Sequence, residues 1–390
     1  MTPTERPLRV LHVITRMIVG GAQENTLLSC ALIDRERFPS EILCGVETGS
    51  EGELLSECRA RGVPVRLEPA LVREVHPWKD LVALVRLVRL LRRERYDVVH
   101  VHTSKAGIVG RIAAWCARVP VVIHTAHGWA FGREQPRAAY RIYLFLEALC
   151  ARLSDAIVVV SEKTRDEALR LGVGRPTQFV LIRSGIEIEV FRDVALTREE
   201  ARTRIGLPAG AFVIGTVGRL SRQKAPLDLL AAFAPVAGAR PEAHLVFVGD
   251  GPLRPEVEAA VANRGLTGRV HLLGLRRDVP ELLRAFDVFA LSSRWEGLPR
   301  VFPQAMAAGL PIVATRVDGA AEAVTPGENG WLVDPGDIRA MTGRLLELAA
   351  DPETARRMGE GGRGRVEEFS ARRMVQELEG LYERLAQRRR

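Results

Sequence analysis

Short runs of hydrophobic, mostly β-branched residues recur along the whole chain and predict its strands. Seven runs lie in the first half: RVLHVIT, SEILCGV, VPVRLE, DVVHVHT, PVVIHTA, AIVVVSE and QFVLIRS. Six lie in the second half: FVIGTVGR, HLVFVGDG, RVHLLG, VFALSS, PIVATRV and WLVDP. Because strands of parallel sheets are buried on both faces, such unbroken apolar runs favour parallel sheets.

Most of these runs are followed by a stretch with helical periodicity. In KDLVALVRLVRLLRRERY the apolar residues Leu81, Leu84, Val85 and Val88 fall on one face, which we expect to pack on a sheet. Alternation of buried strand with helix predicts an α/β fold whose parallel sheets are covered on both sides.

A polar segment divides the two series of runs. Residues 186–211, IEIEVFRDVALTREEARTRIGLPAGA, are rich in charged and turn residues. A chain of 390 residues also exceeds what one hydrophobic core usually organises. We therefore predict two Rossmann-like, doubly wound domains, 1–190 and 191–371. The last segment, FSARRMVQELEGLYERLAQRRR, is an amphipathic helix with no strand after it.

Charge and composition narrow the classes of function. A net charge of +8 favours an anionic partner, which can be nucleic acid, a phospholipid surface or a phosphorylated small molecule. Aromatic residues make up only 5% of the chain and do not alternate with basic residues, so no nucleic-acid partner is expected. Five cysteines without CxxC spacing argue against a disulfide framework and a zinc knuckle.

The sequence contains no obvious export or membrane-spanning segment. Its start, MTPTERPLRVLHVIT, lacks the long apolar stretch of a secretory signal. The most apolar helix, LVALVRLVRLL, is interrupted by Arg86 and Arg89 and is too short to span a bilayer. We therefore expect a cytoplasmic protein.

Glycine and charged residues cluster where strands are predicted to end, which is where open α/β sheets bind ligands. The first strand ends in RMIVGGAQ, with Gly20 and Gly21, and the first strand of the second half ends in GTVGRLSRQK. There Arg219 and Lys224 follow Gly218. Arginine supplies a planar fork of donors and lysine a point charge, which suits a diphosphate. The alternative is two solvated basic residues on a loop.

The stretch WEGLPRVFPQAM enters a helix whose first amides and dipole can form an anion site. Because proline has no amide hydrogen, we expect the amides of Arg300, Val301 and Phe302 to face phosphate. Glu296 precedes this helix and can accept hydrogen bonds from hydroxyl groups, and Gln304 within it can donate and accept. By residue type alone, Gln304 is more often a surface residue.

Together these motifs resemble those of the glycosyltransferase family 4 enzymes. The matching segments are GGAQENTLL, SGIEIEVF, GTVGRLSRQKAPLDLLAAF, FVGDGPLR, LLGLRRDVPELLRAFDVFALSS and EGLPRVFPQAMAAGLPIVAT, in the family's order and over nearly the whole chain. The resemblance implies a GT-B enzyme with two Rossmann-like domains facing across a cleft. Such an enzyme moves a sugar from a nucleotide diphosphate with retention of configuration. It also implies that the last helix, 372–390, packs back on the first domain.

The resemblance assigns roles to the charged residues. Glu296 matches the first Glu of the family's E-x7-E motif, which is placed against the donor sugar, and Gln304 stands where the second Glu usually binds the ribose. Arg219 and Lys224 match the diphosphate-binding pair.

Glycines and further residues complete the implied donor site. Gly20 and Gly21 match the glycine loop that lets the phosphates approach the first domain. Gly218, Leu298, Arg300 and Val301 are the remaining expected donor contacts. Two departures affect the detailed contacts: Gln304 replaces a Glu, and Pro299 replaces a frequent Gly.

The implied mechanism uses no metal or other cofactor. Arg219, Lys224 and helix amides would offset the charge of the departing nucleotide, and the chain contains no D-x-D pair. The donor phosphate would take the proton of the acceptor. His127, in IHTAHGW, matches a position where the family often carries a histidine near the reacting carbon, and we expect it to donate to the sugar. The alternative is a structural histidine.

Three other classes of function remain open from the residues. The histidines His100, His102, His124 and His127 at strand ends are compatible with a metal-dependent hydrolase, although no matching carboxylate stands out. A two-lobed sugar-binding protein would need an export signal. A nucleotide-sugar epimerase or phosphorylase has the same architecture.

The acceptor side is expected in the first domain. Ser104 and Lys105, in HTSKAGIVGR, lie at a helix start suited to an acceptor phosphate. The basic amphipathic helix 79–95 and the stretch FGREQPRAAYRIYLF favour peripheral contact with an anionic membrane. Similar enzymes often glycosylate polyprenyl-linked saccharides, so the resemblance implies such an acceptor, a UDP-hexose or UDP-N-acetylhexosamine donor, and a role in cell-surface polysaccharide synthesis at the inner face of the cytoplasmic membrane.

Overall fold

The computed structural model describes residues 6–46, 52–129 and 136–389. These form two α/β units. The first runs up to Gly185 and also includes the segment from Ala371 on, and the second is Ile186–Ser370. The predicted fold class, two doubly wound α/β domains with parallel sheets, is confirmed.

The first unit holds a seven-stranded sheet, and each of the seven predicted runs contains one strand. The strands are β1 (Val10–Ile14), β2 (Ser40–Cys44), β3 (Val65–Leu67), β4 (Val98–His102), β5 (Val121–Ala126), β6 (Ala156–Val159) and β7 (Phe179–Leu181). Neighbouring strands are parallel, in the order β3-β2-β1-β4-β5-β6-β7. The order reverses between β1 and β4, so side chains at the carboxyl ends of these strands flank a binding crevice.

Helices cover both faces of this sheet. They are α1 (Gly21–Ala31), α2 (Leu55–Ala60), α3 (Pro77–Glu94), α4 (Ser104–Ala117), α5 (Arg137–Ala151) and α6 (Glu162–Arg170), with a 3₁₀ turn at Pro176–Gln178. The final helix of the chain, Ala371–Gln387, also packs here, because Met374, Leu378 and Tyr382 share a hydrophobic cluster with Val10 and Val98.

Helix α3 packs through a face that coincides only in part with the one we predicted. Leu84 and Val88 pack against the core as expected, but Leu81 and Val85 are 48% and 39% exposed. The fully buried residues of the helix are Ala83, Leu87 and Leu91. The buried side of α3 joins a cluster with the sheet and with alanines of α4. Because α3 is apolar on more than one side, its periodicity allows two inward faces, and packing against its neighbours selects one.

The second unit holds a six-stranded parallel sheet with one strand at each predicted run, although β9 and β13 begin one residue before their runs. The strands are β8 (Phe212–Val217), β9 (Ala243–Val248), β10 (Val270–Leu272), β11 (Val288–Leu291), β12 (Ile312–Thr315) and β13 (Gly330–Val333). Their order is β10-β9-β8-β11-β12-β13, so the reversal lies between β8 and β11.

Nine helices in the described residues surround the second sheet. They are α7 (Ile188–Arg192), α8 (Arg198–Arg204), α9 (Pro226–Ala239), α10 (Arg254–Asn263), α11 (Val279–Arg284), α12 (Val301–Ala308), α13 (Ala320–Ala323), α14 (Ile338–Ala350) and α15 (Pro352–Arg365), with a 3₁₀ turn at Val366–Phe369. Helix α16 (Ala371–Gln387) is the final helix assigned above to the first unit. The polar segment 186–211 therefore contains two helices of the second unit, and the Ile186 amide donates to the Phe369 carbonyl at 2.9 Å.

All five cysteines are free thiols. Among the helices that the structure describes, none combines the length and the apolar character needed to cross a bilayer.

Candidate active site

The turn after β8 is fixed by the neighbouring strand β9. The Gly218 amide donates to the Val248 carbonyl at 2.9 Å, and the Leu220 amide donates to the Asp250 carbonyl at 3.0 Å. A Cβ atom at Gly249 would lie 2.1 Å from the Gly218 carbonyl oxygen, so only glycine fits at position 249. The glycines of VGDGP are therefore explained by the close approach of two turns.

Lys224 and Glu296 meet at this turn. The Lys224 Nζ lies 2.5 Å from Oε1 of Glu296, and the two side chains are 20% and 9% exposed. The Ser293 hydroxyl donates to the same Oε1 at 2.7 Å, and the Glu296 amide donates to Oδ2 of Asp318 at 2.7 Å. The groups predicted to hold the diphosphate and the sugar thus occupy one hydrogen-bonded site.

Polar residues at the end of β11 hold the lysine turn in place. The Ser292 hydroxyl donates to the carbonyls of Lys224 and Ala225 at 3.0 and 2.8 Å, and the Gln223 amide group donates to the Trp295 carbonyl at 3.1 Å. We did not predict these contacts. The signal was present, because SS in VFALSS is a polar pair at a strand end beside the switch point.

Arg219 lies on the same turn, between Gly218 and Leu220, with its side chain exposed to solvent. The structure therefore brings Lys224 and Glu296 into direct contact and places Arg219 on the turn that carries the lysine. Its predicted contact with phosphate stays a prediction.

The start of α12 supports only part of the predicted anion site. The Phe302 amide donates to the Pro299 carbonyl at 3.0 Å, so the expectation that it faces phosphate is wrong. Helix α12 begins at Val301, and the phosphate contacts of the Arg300 and Val301 amides stay predictions. Leu298, just before this turn, is 6% exposed and packs inward.

Gln304 is buried rather than on the surface, with 9% of its area exposed. Its backbone amide lies 3.4 Å from the Arg300 carbonyl, and no protein group in the described part of the chain hydrogen-bonds its side-chain amide. Its amide atoms are not among the fully buried polar atoms without a partner, so the amide is within reach of solvent and can donate to and accept from a polar ligand.

Gly20 and Gly21 lie between β1 and α1, where we expected a phosphate to approach. Gly20 is extended, with φ 177°, and α1 begins at Gly21. A Cβ atom at Gly20 would meet only Oε1 of the Gln23 side chain, at 2.8 Å, and a flexible side chain can move away. Backbone packing within the unit therefore does not account for glycine at position 20.

Lys105 is engaged by the protein. Its Nζ lies 2.5 Å from Oδ1 of Asp80 and also donates to the Glu74 carbonyl, and its side chain is 14% exposed. An acceptor phosphate would have to displace these partners, so the predicted contact is not supported by the geometry. Ser104 begins α4, and its acceptor contact stays a prediction.

Three histidines of the first unit are joined by hydrogen bonds: His12 on β1, His102 at the end of β4 and His127 just after β5. Nδ1 of His12 lies 3.0 Å from Nε2 of His102, and Nδ1 of His102 lies 3.1 Å from Nε2 of His127. Burial lowers the pKa of His12 to about 3, and burial and neighbouring histidines lower that of His102 well below its ordinary value. These rings are therefore neutral at physiological pH. The sequence pattern did not single out His12, which lies in the middle of β1 with no second histidine beside it.

A metal-dependent hydrolase would need these histidines to bind a metal ion. Ring nitrogens of His12, His100 and His102 lie within 4.8 Å of one another. Both nitrogens of His100 already have partners, the Tyr382 hydroxyl at 2.7 Å and the Thr125 hydroxyl at 2.6 Å. No carboxylate belongs to this group of ligand atoms in the described residues. His124 is separate and packs against Gly107. The geometry therefore favours a hydrogen-bonded cluster over a metal site.

Comparison with known proteins identifies the family. Residues 20–185 match the description "Glycosyl transferase 4-like domain", and residues 197–365 match "Glycosyl transferases group 1". The chain is also 30% identical to the Escherichia coli enzyme named UDP-Gal:alpha-D-GlcNAc-diphosphoundecaprenol alpha-1,3-galactosyltransferase, over 98% of both chains. The chain belongs to the group 1 glycosyltransferases. This confirms the family and the enzyme class that the motifs predicted.

Other relatives agree with this assignment. The glycosyltransferase is 26% identical to the Staphylococcus aureus capsular polysaccharide biosynthesis glycosyltransferase CapM, over 80% of this chain and 82% of that one. The crystal structure of Anabaena HepE in complex with UDP-glucose superposes with a TM-score of 0.82, at 25% identity, over 96% of this chain and 99% of that one. The fold is GT-B, and the hydrolase, epimerase, phosphorylase and sugar-binding alternatives lose their support.

Proposed function

We propose that this glycosyltransferase moves a hexose or N-acetylhexosamine from a UDP-linked donor to a polyprenyl-linked saccharide, in the synthesis of a cell-surface polysaccharide. The observation that carries the proposal is the similarity, over 98% of both chains, to an enzyme whose name states UDP-galactose as donor and a GlcNAc-diphosphoundecaprenol as acceptor. The relative named for capsular polysaccharide biosynthesis and the neighbour that holds UDP-glucose support it.

In the proposed donor complex, the diphosphate takes the place of Glu296 as the partner of Lys224. Their ion pair is partly exposed, and a diphosphate carries more negative charge than a carboxylate, so the exchange is favourable. The freed Glu296 carboxylate then accepts hydrogen bonds from the sugar hydroxyls. Arg219 reaches the phosphates from the same turn, and the side-chain amide of Gln304 meets the ribose diol.

Transfer proceeds with retention, and the donor phosphate oxygen takes the acceptor's proton, so no enzyme nucleophile is needed. His127 donates a hydrogen bond to the sugar. Because Arg219 and Lys224 offset the charge of the departing nucleotide, we propose that transfer needs no metal or other cofactor. Full activity in excess EDTA is the expected result, and restoration of a lost activity by Mg²⁺ or Mn²⁺ would contradict it.

Contact with an anionic membrane would bring the enzyme to such an acceptor. Helices α3, α4 and α5 lie side by side, since α4 contacts both of the others. They expose large apolar side chains, with Trp78 71%, Trp115 64%, Ile142 59% and Phe145 66% exposed. Isolated apolar residues at a surface are normal, but exposed aromatic and aliphatic side chains on helices that also carry arginines are typical of membrane-binding surfaces.

The arginines of α3 contribute unequally to this surface. Arg86 and Arg93 form ion pairs with Glu68 and Glu94, each at 3.1 Å, which offsets part of their charge. In the described residues no carboxylate pairs with Arg89. Of the second predicted patch, residues 131–135 lie outside the described residues, and the rest leads into α5. We propose that the enzyme sits at the inner face of the cytoplasmic membrane.

A donor and acceptor screen tests the function. UDP-galactose, UDP-glucose, UDP-N-acetylglucosamine and GDP-mannose are each incubated with a synthetic GlcNAc-diphospholipid, and the released nucleotide is measured by luminescence. We expect release with one UDP-sugar, only in the presence of acceptor, and a product whose NMR spectrum shows the donor's anomeric configuration. Turnover of GDP-mannose alone, or a product with inverted configuration, would contradict the proposal.

A further inference from the structure

The hydrogen-bonded histidines of the first unit end at the residue predicted to contact the sugar. We propose that His102, supported by His12, is a positioning residue that fixes the ring orientation and the tautomer of His127, so that Nδ1 of His127 carries the hydrogen donated to the substrate. This inference rests on the proposed function, because the sugar contact of His127 belongs to that proposal.

The two hydrogen bonds that join His12, His102 and His127 must have the same direction from donor to acceptor. His12 and His102 are 0% and 1% exposed, and their rings are neutral. A neutral imidazole has one N–H group and one lone pair. Two hydrogen bonds joining three rings therefore run either from His12 towards His127 or in reverse.

His12, at the buried end of these three rings, decides the direction of the hydrogen bonds. Nε2 of His12 is buried and has no hydrogen-bond partner among the described residues. If His12 carried its hydrogen there, the core would bury an orphaned N–H group, which is rarer in proteins than an under-satisfied acceptor. The hydrogen therefore lies on Nδ1 of His12, which donates to Nε2 of His102. His102 in turn donates from Nδ1 to Nε2 of His127.

The direction of these hydrogen bonds determines which nitrogen of His127 carries a hydrogen. Because Nε2 of His127 accepts the hydrogen bond, a neutral His127 must carry its hydrogen on Nδ1. The ring is also held by stacking on His102, with centroids 5.4 Å apart and planes 26° from parallel. A histidine without such a partner would rotate and exchange tautomers, and only part of the population would present a donor at the required atom.

His100 offers a matched control for packing. It is as buried as His102 and stacks on it, with ring centroids 4.4 Å apart. Its nitrogens, however, hydrogen-bond to Tyr382 and Thr125 and not to the chain of rings that ends at His127. His100→Gln therefore damages the same part of the core without removing the partner of His127.

The first measurement is the tautomer of His127 in the full-length protein labelled with ¹⁵N-histidine. A long-range ¹H–¹⁵N correlation spectrum, assigned with His127→Gln, is expected to show the hydrogen on Nδ1 in the wild type and in His100→Gln. In His102→Leu we expect this preference to be lost. A hydrogen on Nε2 in the wild type would overturn the proposal, whether or not a donor sugar has been identified.

The second measurement is turnover with the UDP-sugar found by the screen. We expect His102→Leu to lower kcat about tenfold, the effect of losing one hydrogen bond in the transition state, with UDP affinity unchanged within about twofold. His102→Asn keeps an amide donor near the position of Nδ1 and is expected to restore most of the activity. His100→Gln is expected to keep wild-type kcat.

The outcomes separate this inference from the proposed function. An unchanged kcat in His102→Leu, or equal losses in His100→Gln and His102→Leu, overturns the positioning role even if transfer is established. If no UDP-sugar is turned over, the proposed function fails, and the tautomer spectra alone decide whether His102 fixes His127. Should His102→Leu fail to fold, the wild-type spectrum and His102→Asn decide.

Discussion

The two sheets reverse their strand order at equivalent places, but the side chains at the two reversals differ in charge. Between β8 and β11 the strand ends lead to Lys224 and Glu296, which form a partly exposed ion pair. Between β1 and β4 lie His12, His100 and His102, which are buried and held neutral by burial. The same architecture thus presents charge in one unit and a neutral hydrogen-bonded cluster in the other.

This difference predicts what substitutions at each reversal will change. Around Lys224 and Glu296 we expect effects on the binding and reaction of a charged donor. In the histidine cluster we expect effects on proton linkage, stability and the orientation of a hydrogen-bond donor.

The largest effect is expected for Glu296→Ala. If Glu296 holds the sugar as charge develops at its anomeric carbon, kcat should fall by at least about a hundredfold. UDP affinity should stay constant or rise, because Lys224 loses the carboxylate that competes with the diphosphate. Initial rates and calorimetric titration of UDP measure both, with Glu256→Ala, exposed on α10, as the control. Weaker UDP binding with unchanged kcat would reverse the roles assigned to the pair.

Gln304→Ala should act mainly on nucleotide binding. Loss of the side-chain amide leaves ribose hydroxyls unpaired and should weaken UDP binding roughly tenfold to a hundredfold. In Gln304→Glu, better acceptance from the ribose opposes repulsion of the diphosphate, so the change should stay under about tenfold. Calorimetry with the exposed Gln376→Ala as control measures both. Wild-type affinity in Gln304→Ala would remove the ribose contact and leave packing as the role of this residue.

Acid should destabilise the first unit before the second. The pKa of His12 falls from 6.5 to about 3 on folding, so the unfolded chain binds the proton more readily. Stability is therefore complete above about pH 6.5 and falls as the pH decreases towards 3, by about 1.4 kcal/mol per pH unit for this group.

The buried His100, His102 and His124, whose pKa values also lie well below the ordinary value, add to this loss. In the second unit, burial also lowers the pKa values of His244 and His271, which are less buried. Urea unfolding at pH 7 and pH 5.5, followed by hydrogen exchange in each unit, tests the order. Earlier loss of protection in the second unit would contradict this comparison.

The smallest effects are expected at the exposed helices of the first unit. Arg89→Ser should weaken co-sedimentation with anionic vesicles about fivefold, since one arginine near a charged membrane contributes about 1 kcal/mol. Arg86→Ser should weaken binding to anionic vesicles less than Arg89→Ser, because Arg86 is already paired with Glu68. Phe145→Ser should weaken binding at all salt concentrations, whereas the arginine effect should fade at high salt. Equal binding to neutral vesicles would remove the electrostatic part of the proposal.

The sequence by itself determined the α/β class and, to within a residue or two, where the described strands lie. Each of the thirteen apolar runs coincides with one strand, because a strand buried on both faces needs consecutive apolar residues, and this requirement is local. Charged residues and glycine at the strand ends likewise indicated a ligand site, and the order of the motifs indicated the glycosyltransferase family.

Only the tertiary structure decided which atoms meet. Lys224 and Glu296 are 72 positions apart, and His12 and His102 are 90 apart, so neither pair leaves a periodic signal in the sequence. The inward face of α3 and the pairing of Lys105 with Asp80 were likewise set by neighbouring elements. Hydrogen bonds and ion pairs depend on a few tenths of an ångström between distant segments, and that distance is fixed by how the whole core packs.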